Sequence, residues 1–222
     1  VLVLLDQRMN MFFGSCYSFK SSTAAELAAL CAWMALQAGD RVGGLVFSDQ
    51  QIQRIAPLRS RARVEQLCAT IVRHNQALAA DNPDIDSSAH LNRVLSECRQ
   101  QAGHDQLICI ISDFAGANAQ TLQLLRELNA HNDVLALQVY DPLALNLPKT
   151  GHWRVTQGEL QLELAIGRRQ VHRPLSELFQ GRLRDVAELL RRSQIPMLPI
   201  STGEPALTQL RFELGKLGGR QR

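Results

Sequence analysis

Three largely apolar runs, each leading into an aspartate, constrain the fold of this chain more than any other feature. Residues 1–5 lead into Asp6, residues 107–112 into Asp113 and residues 134–140 into Asp141. Apolar runs of this length are typical of strands that are buried on both faces of a parallel sheet covered by helices. Because ligands of such sheets bind beyond the carboxyl ends of the strands, the three carboxylates mark a candidate site.

Between these runs, helical patterns alternate with further strand patterns. Up to Asp141 the predicted order is β-α-β-β-α-α-β-α-β. This order indicates an α/β fold, a doubly wound and mostly parallel sheet flanked by helices. The alternating stretch at residues 52–56 is predicted to be an antiparallel edge strand. A T-x-x-E capping box, formed by Thr23 and Glu26, predicts where the first helix opens.

The last third of the chain has a different pattern. Alternating residues on both sides of Gln157 and Gly158 predict a small β-hairpin at about residues 152–167. A helix, a short strand and a closing helix follow, and Pro196 and Pro199 place that strand at a sheet edge. We expect residues 1–222 to form a single domain in which the hairpin is an insertion.

Composition excludes several classes of protein. With 45% apolar residues the chain can bury a full core, yet no stretch approaches the roughly 18–20 apolar residues of a membrane span. The five cysteines are scattered without a C-x-x-C pair, so we expect reduced thiols and a cytoplasmic location.

The chain starts inside a strand and without an initiator methionine, which predicts that it is the C-terminal part of a longer protein.

Charge is distributed unevenly along the sequence. From Arg168 onward, 11 basic and 5 acidic residues give a balance of +6, whereas residues 1–167 carry −3. A basic segment can bind nucleic acid or an acidic partner. We favour a solvated helix face, because the charges are spaced rather than clustered and no aromatic residues alternate with them.

The carboxylates are the main candidates for chemistry, because the sequence has no P-loop, no G-x-G-x-x-G fingerprint and no G-x-S-x-G elbow. Asp6 and Asp113 end strands that are predicted to be neighbours. Two carboxylates in one cleft repel each other unless a cation or a shared proton lies between them. A hard divalent metal such as Mg²⁺ or Mn²⁺ prefers oxygen ligands of this kind. Arg8 is the competing solution, since its guanidinium could pair with both carboxylates.

Four segments of the chain carry a resemblance to a known family. They are residues 1–6, residues 38–47 with the piece G-D-R-V-G, residues 111–114 with the piece S-D-F, and residues 139–142 continuing to 147–148. In this order and spacing they resemble the bacterial family called domain of unknown function 58, whose members contain a von Willebrand factor A-like domain. The resemblance extends over nearly the whole chain, including the hairpin and the closing helix.

The resemblance implies a partner and a metal site. Members of this family often accompany AAA+ ATPases of the MoxR group, and are thought to act with them in chaperone-like or complex-assembly roles. Similar domains carry a metal-ion-dependent adhesion site, with D-x-S-x-S after the first strand, a threonine from a second loop and an aspartate from a third. Here Asp6 and Asp113 match, whereas Arg8 and Asn10 occupy the serine positions and Ser88 is the nearest substitute for the threonine.

These departures predict a degenerate metal site. Asn10 can offer a carbonyl oxygen to Mg²⁺ or Mn²⁺, but Arg8 cannot be a ligand. Our hypothesis is that Arg8 neutralises Asp6 and Asp113, and that the site has lost its ion. We therefore expect no cofactor.

Two functions of different classes follow from these observations. The first is a non-enzymatic protein-interaction module that binds a protein partner, a MoxR-type ATPase or another protein, through the top of the sheet. Its predicted contact residues are Met11, Phe12, Phe13 and Phe114, and the alternative is that this apolar loop folds back onto the core.

The second function is that of a metal-dependent nuclease or phosphatase. Its carboxylates would be Asp6, Asp49, Asp113 and Asp141. Because isolated aspartates are also ordinary turn formers, we expect no enzyme.

Overall fold

The structure, a computed structural model, describes residues 1–78, 87–147, 152–157, 160–165 and 169–219. Its strands are β1 (Leu2–Asp6), β2 (Val42–Phe47), β3 (Ile52–Leu58), β4 (Leu107–Ser112), β5 (Asp133–Tyr140), β6 (His152–Gln157), β7 (Leu160–Ala165) and β8 (Met197–Ser201). Its helices are α1 (Lys20–Gln37), α2 (Arg61–Gln76), α3 (Ser87–Gln101), α4 (Ala119–Asn129), α5 (Arg169–Arg192) and α6 (Ala206–Gly219). Short 3-10 turns, Met9–Met11 and Pro142–Ala144, follow β1 and β5.

Six strands form one sheet in the order β3-β2-β1-β4-β5-β8. Every neighbouring pair is parallel except β2 with β3, which is antiparallel. The hairpin of β6 and β7 forms a separate antiparallel ribbon before the last helix-strand-helix. The predicted α/β architecture is therefore confirmed, including the antiparallel edge strand and the hairpin insertion. The proline-containing β8 lies at the other edge of the sheet, as predicted.

Two cores lie on opposite faces of this sheet. In β1, Val3 and Leu5 belong to the core beneath α1, α2 and α6, whereas Leu2 and Leu4 belong to the core beneath α3, α4 and α5. All four side chains are completely buried. Because helices cover both faces, a central strand needs an apolar residue at nearly every position, which explains the apolar runs in the sequence. Within the described ranges, no helix combines the length and the apolar character needed to cross a membrane.

The first helix begins one turn earlier than the capping box predicts. α1 starts at Lys20 after Phe19, whose side chain makes no capping hydrogen bond. Thr23 is buried inside the helix instead of capping it. The amide of Lys20 donates to the carbonyl oxygen of Phe13 at 2.7 Å, so the β1–α1 loop (residues 7–19) fixes the start of the helix. A tertiary contact of this loop overrides the local capping signal.

Candidate functional site

Four carboxylates lie at the carboxyl end of the sheet. Asp6 ends β1, Asp49 follows β2, Asp113 follows β4 and Asp141 follows β5. Because β1 is paired with both β2 and β4, the structure brings Asp6 between the other strand ends. Each of the four carboxylates accepts hydrogen bonds from the β1–α1 loop or from Lys20, the residue that follows it.

Asp6 is completely buried and forms a two-pronged ion pair with Arg8. Nε of Arg8 donates to Oδ1 at 3.0 Å, and Nη2 donates to Oδ2 at 2.7 Å. The backbone amide of Arg8 also donates to Oδ1 at 3.0 Å, and the hydroxyl of Ser112 donates to Oδ2 at 2.6 Å. Four donors from the protein therefore satisfy the two oxygens of Asp6, which fills the acceptor capacity of a carboxylate.

The guanidinium of Arg8 is fully enclosed. Its Cζ lies 5.7 Å from the centroid of the Phe47 ring, a cation–π arrangement. Burial works to lower the pKa of Arg8, but the negative charge of Asp6, and more weakly those of Asp113 and Asp49, raise it overall. Arg8 is therefore a permanent positive charge at the centre of the site.

Asp113 pairs with Lys20, a residue to which the sequence pattern did not point. Nζ of Lys20 lies 2.5 Å from Oδ2, while Nδ2 of Asn10 donates to Oδ1 at 2.6 Å. Burial works to raise the pKa of Asp113, but the Lys20 ammonium, the amide of Ala115 and the charge of Arg8 lower it overall. Arg8 therefore makes its hydrogen-bonded ion pair with Asp6 and acts on Asp113 through its charge, whereas Lys20 is the cation in direct contact with Asp113.

One signal in the sequence could have pointed to Lys20. A cation in the first turn of a helix is unfavourable, because the helix dipole places positive partial charge there. α1 has no acidic residue in its first turn to offset Lys20. A lysine at that position, beyond the end of β1, therefore indicates a carboxylate partner elsewhere in the fold.

Asp49 and Asp141 hold other parts of the β1–α1 loop. The amide of Met9 donates to Oδ2 of Asp49 at 2.5 Å. Ser15 donates to Asp141 through its amide at 2.8 Å and through its hydroxyl at 2.5 Å, and Thr202 adds a hydroxyl donor at 2.8 Å. Burial works to raise the pKa of Asp141, but these donors lower it overall. Asp141 thus ties the loop to the ends of β5 and β8.

This donor set does not fit a divalent cation. The oxygens of Asp6 and Asp113 already accept hydrogen bonds from cationic side chains, and a metal would add charge beside Arg8 and Lys20. Oδ1 of Asn10 is the one predicted ligand atom that is buried without a hydrogen-bond partner. Among the residues that the structure describes, no group of three or more His, Cys, Asp or Glu side chains is placed to hold a metal ion.

The first turn of α3 borders the same site. Ser88, the predicted substitute for the threonine ligand, lies there and is half-buried. His90 is buried beside the Phe47 ring, with ring centroids 6.3 Å apart. Burial lowers the pKa of His90, and the positive charge of Arg8 lowers it further. His90 is therefore held as a neutral imidazole near the cationic centre.

Two of the four predicted contact residues are buried, so the prediction is wrong for them. Met11 is 0% exposed and Phe114 is 1% exposed. Met11 packs into the core beneath α1, and Phe114 packs into the core on the opposite face. Phe114 reaches its core through a left-handed backbone with φ of 56°, which is uncommon for a bulky residue. Its amide donates to the hydroxyl of Ser112 at 2.8 Å, which fixes this turn beside Asp6.

The exposed part of the loop forms what we term the aromatic surface, consisting of Phe13, Tyr17 and Phe19. These side chains are 40%, 65% and 45% exposed, respectively. Phe12, also predicted to be a contact residue, is half-buried and stacks on Phe19 with ring centroids 5.1 Å apart. The β1–α1 loop thus divides its apolar residues between the core and the surface, combining the two alternatives predicted for it.

The sequence profile of the family described as "Protein of unknown function DUF58" matches residues 1–180. The chain belongs to this family. It is similar to the uncharacterized protein Rv1480 of Mycobacterium tuberculosis, with 24% identity over 226 residues, covering 99% of this chain and 69% of the relative. The uncharacterized protein Mb1516 of Mycobacterium bovis matches with the same values.

Two solved structures resemble this chain over nearly its whole length. The conserved hypothetical protein BatB from Bacteroides thetaiotaomicron has a TM-score of 0.55 and 11% identity, covering 98% of both chains. An aerotolerance-related membrane protein from Bacteroides fragilis NCTC 9343 has a TM-score of 0.55 and 12% identity, covering 97% of this chain and 98% of its own. At these identities the likeness concerns the fold alone. The doubly wound α/β architecture is confirmed.

Proposed function

We propose that the protein is a non-enzymatic interaction module that binds a protein partner through the aromatic surface of its β1–α1 loop. The observation that carries this proposal is the use of all four strand-end carboxylates to hold the loop. They bind the loop at Arg8, Met9, Asn10 and Ser15, and at Lys20 where α1 begins.

A loop held at so many points suits binding more than catalysis. Aromatic side chains on a fixed backbone lose little conformational entropy when a partner covers them, so more of the contact energy remains as affinity. Tyrosine and other aromatic residues are also enriched among the residues that dominate binding energies in protein interfaces. Tyr17, at 65% exposed, is the largest exposed target on this loop.

The donor set also supports a degenerate metal-ion-dependent adhesion site. Phosphoryl chemistry needs carboxylates that are open to a metal ion and a substrate. In this site Arg8 covers Asp6 and Lys20 covers Asp113, so the two cations take the place of a metal. This arrangement favours the interaction module over a nuclease or phosphatase.

The proposed partner is a MoxR-type AAA+ ATPase, as the family resemblance implies. Binding of the purified ATPase to the immobilised chain tests this, with Tyr17→Ser as the variant and Phe212→Ser on α6 as the matched control. Both side chains are 65% exposed, so the variants remove similar apolar surface from two different elements, the β1–α1 loop and α6. We expect Tyr17→Ser to weaken binding by about tenfold or more, as for an interface hot spot, and Phe212→Ser to leave it unchanged. Equal affinities for both variants would contradict the proposed surface.

The enzymatic and metal-binding alternatives have their own test. Calorimetric titration with Mg²⁺ and Mn²⁺, beside an Asp113→Ala control, measures whether the carboxylates bind a metal. We expect no saturable heat in either protein. Saturable binding that is lost in Asp113→Ala, together with hydrolysis of a phosphomonoester or single-stranded nucleic acid, would establish the phosphoryl-transfer alternative instead.

A further inference from the structure

A cavity of about 290 Å³ opens beside the aromatic surface. It lies between the loop that follows β4, the carboxyl end of β5, the turn Pro142–Ala144 and one side of α5. Its volume lies at the lower end of the range for ligand sites, which is roughly 300–1,000 Å³. The cavity therefore has room for a single side-chain-sized group, not for a large cofactor.

Most of the cavity wall is apolar. Leu143, Leu183, Val186 and Leu189 contribute aliphatic side chains from the 3-10 turn and α5. Val186 also belongs to the core on this face of the sheet, whereas Leu183 is half-buried at the side of α5. An apolar wall of this kind favours an occupant with an apolar body, because binding removes both surfaces from water.

A buried amide side chain interrupts the apolar part of this wall. Gln138 on β5 lines the cavity and is only 3% exposed. Its Nε2 is buried without a hydrogen-bond partner. Leaving a buried amide donor unpaired is costly, and an unpaired donor of this kind is uncommon in folded proteins. Gln138 lies two residues before the carboxyl end of β5, so its side chain belongs to the inner part of the cavity wall.

The charged residues of the cavity give no reason to expect a charged occupant. Lys20 is already paired with Asp113, and Asp141 accepts hydrogen bonds from hydroxyl and amide donors. α5 adds Arg182 and Asp185, which are both exposed and opposite in charge. The chemistry of the wall therefore selects a neutral group that has an apolar body and a hydrogen-bond acceptor at its tip.

We propose that this cavity receives a tyrosine side chain from the protein partner, with the phenol oxygen accepting a hydrogen bond from Nε2 of Gln138. A tyrosine combines a large apolar ring with a hydroxyl that can accept such a bond. Phe13 belongs both to the cavity wall and to the aromatic surface, so a partner that covers this surface can insert a side chain next to it. The proposal rests on the proposed function and names the chemistry of the partner.

The test adds N-acetyl-L-tyrosinamide or N-acetyl-L-phenylalaninamide to the whole chain, as small probes that stand for the partner's side chain. Chemical-shift titration of the isotope-labelled protein gives the dissociation constant and the affected residues. We expect the tyrosine probe to bind about fivefold more tightly than the phenylalanine probe, the difference of one hydrogen bond. Gln138→Leu should abolish or reverse this preference while keeping the cavity apolar, and Leu183→Arg should weaken both probes by obstructing the wall.

Several outcomes would overturn the proposal. They are the absence of saturable shifts around the cavity, equal affinity for the two probes, or a tyrosine preference that persists in Gln138→Leu. Leu183→Arg changes a half-buried position on α5, so it provides a second variant if Gln138→Leu fails to fold. The probes contain no ATPase, so a negative result here leaves the Tyr17→Ser binding comparison unaffected. Loss of the ATPase interaction alone would likewise leave the probe result standing.

Discussion

Replacing Arg8 tests the central ion pair of the site. Arg8→Met keeps an unbranched apolar chain but removes the guanidinium, so Asp6 retains only the amide of residue 8 and the hydroxyl of Ser112 as donors. Both partners are 0% exposed, so the carboxylate would remain in the interior without a counter-charge. Breaking a buried pair in this way costs about 3–5 kcal/mol.

This loss is large compared with the stability of a domain. Natural domains are stable by about 5–15 kcal/mol, and 1 kcal/mol shifts the melting temperature of a domain of this size by about 2–4 °C. We therefore expect Arg8→Met to lower the melting temperature by roughly 6–20 °C. Urea denaturation of the purified chain, followed by circular dichroism, measures the corresponding free energy of unfolding.

A double-mutant cycle separates the ion pair from general packing. Asp6→Asn alone removes the ion pair that Asp6 forms with Arg8, and should also destabilise the protein. The double variant removes both charges, so it should lose clearly less stability than the sum of the two single variants. Arg191→Met is the control, because Arg191 pairs with Glu188 on the surface, with 73% and 51% of the side chains exposed.

Two results would contradict the role of this ion pair in stability. If Arg8→Met unfolds at the same urea concentration as Arg191→Met, the buried pair does not stabilise the site. If the two single effects simply add in the double variant, Asp6 and Arg8 are not coupled. Either outcome would remove the argument that Arg8 replaces a metal ion.

Three further predictions concern the same fold. Because Lys20 lowers the pKa of Asp113, Lys20→Met should lower the free energy of unfolding by about 2 kcal/mol at neutral pH. This difference from the unsubstituted protein should vanish in acid, as Asp113 becomes protonated below its ordinary pKa. Urea titrations at pH 7 and in acid measure both values. Burial lowers the pKa of His90 in the folded state, so the unfolded chain binds more protons and stability falls as pH drops below about 6.5; thermal melts at pH 5–8 should show a smaller fall for His90→Gln. Gln194 follows α5 with φ of 57° and is exposed, so Gln194→Gly should stabilise the protein by about 1 kcal/mol, and an unchanged or lower melting temperature would contradict this.

Much of the architecture was readable from local patterns. A strand buried on both faces is apolar at nearly every residue, so residues 1–5 and 107–112 identified β1 and β4 without knowledge of their neighbours. The two prolines around β8 indicated an edge, because proline cannot donate to a neighbouring strand. Local signals failed at the start of α1, where Lys20 and Phe13 form a backbone hydrogen bond that the capping box does not encode.

The sequence by itself determined the layers of this protein, the strand-end positions of its carboxylates and the closeness of Arg8 to Asp6, because each depends on residues that are near one another in the chain. Only the tertiary structure decided that Asp113 pairs with Lys20 and Asn10, which lie 93 and 103 residues away. It also decided which loop side chains are buried and that Gln138, whose amide nitrogen is unpaired, lines a cavity. Such contacts depend on the order of strands in the sheet, and local periodicity specifies burial but not the distant partner that completes it.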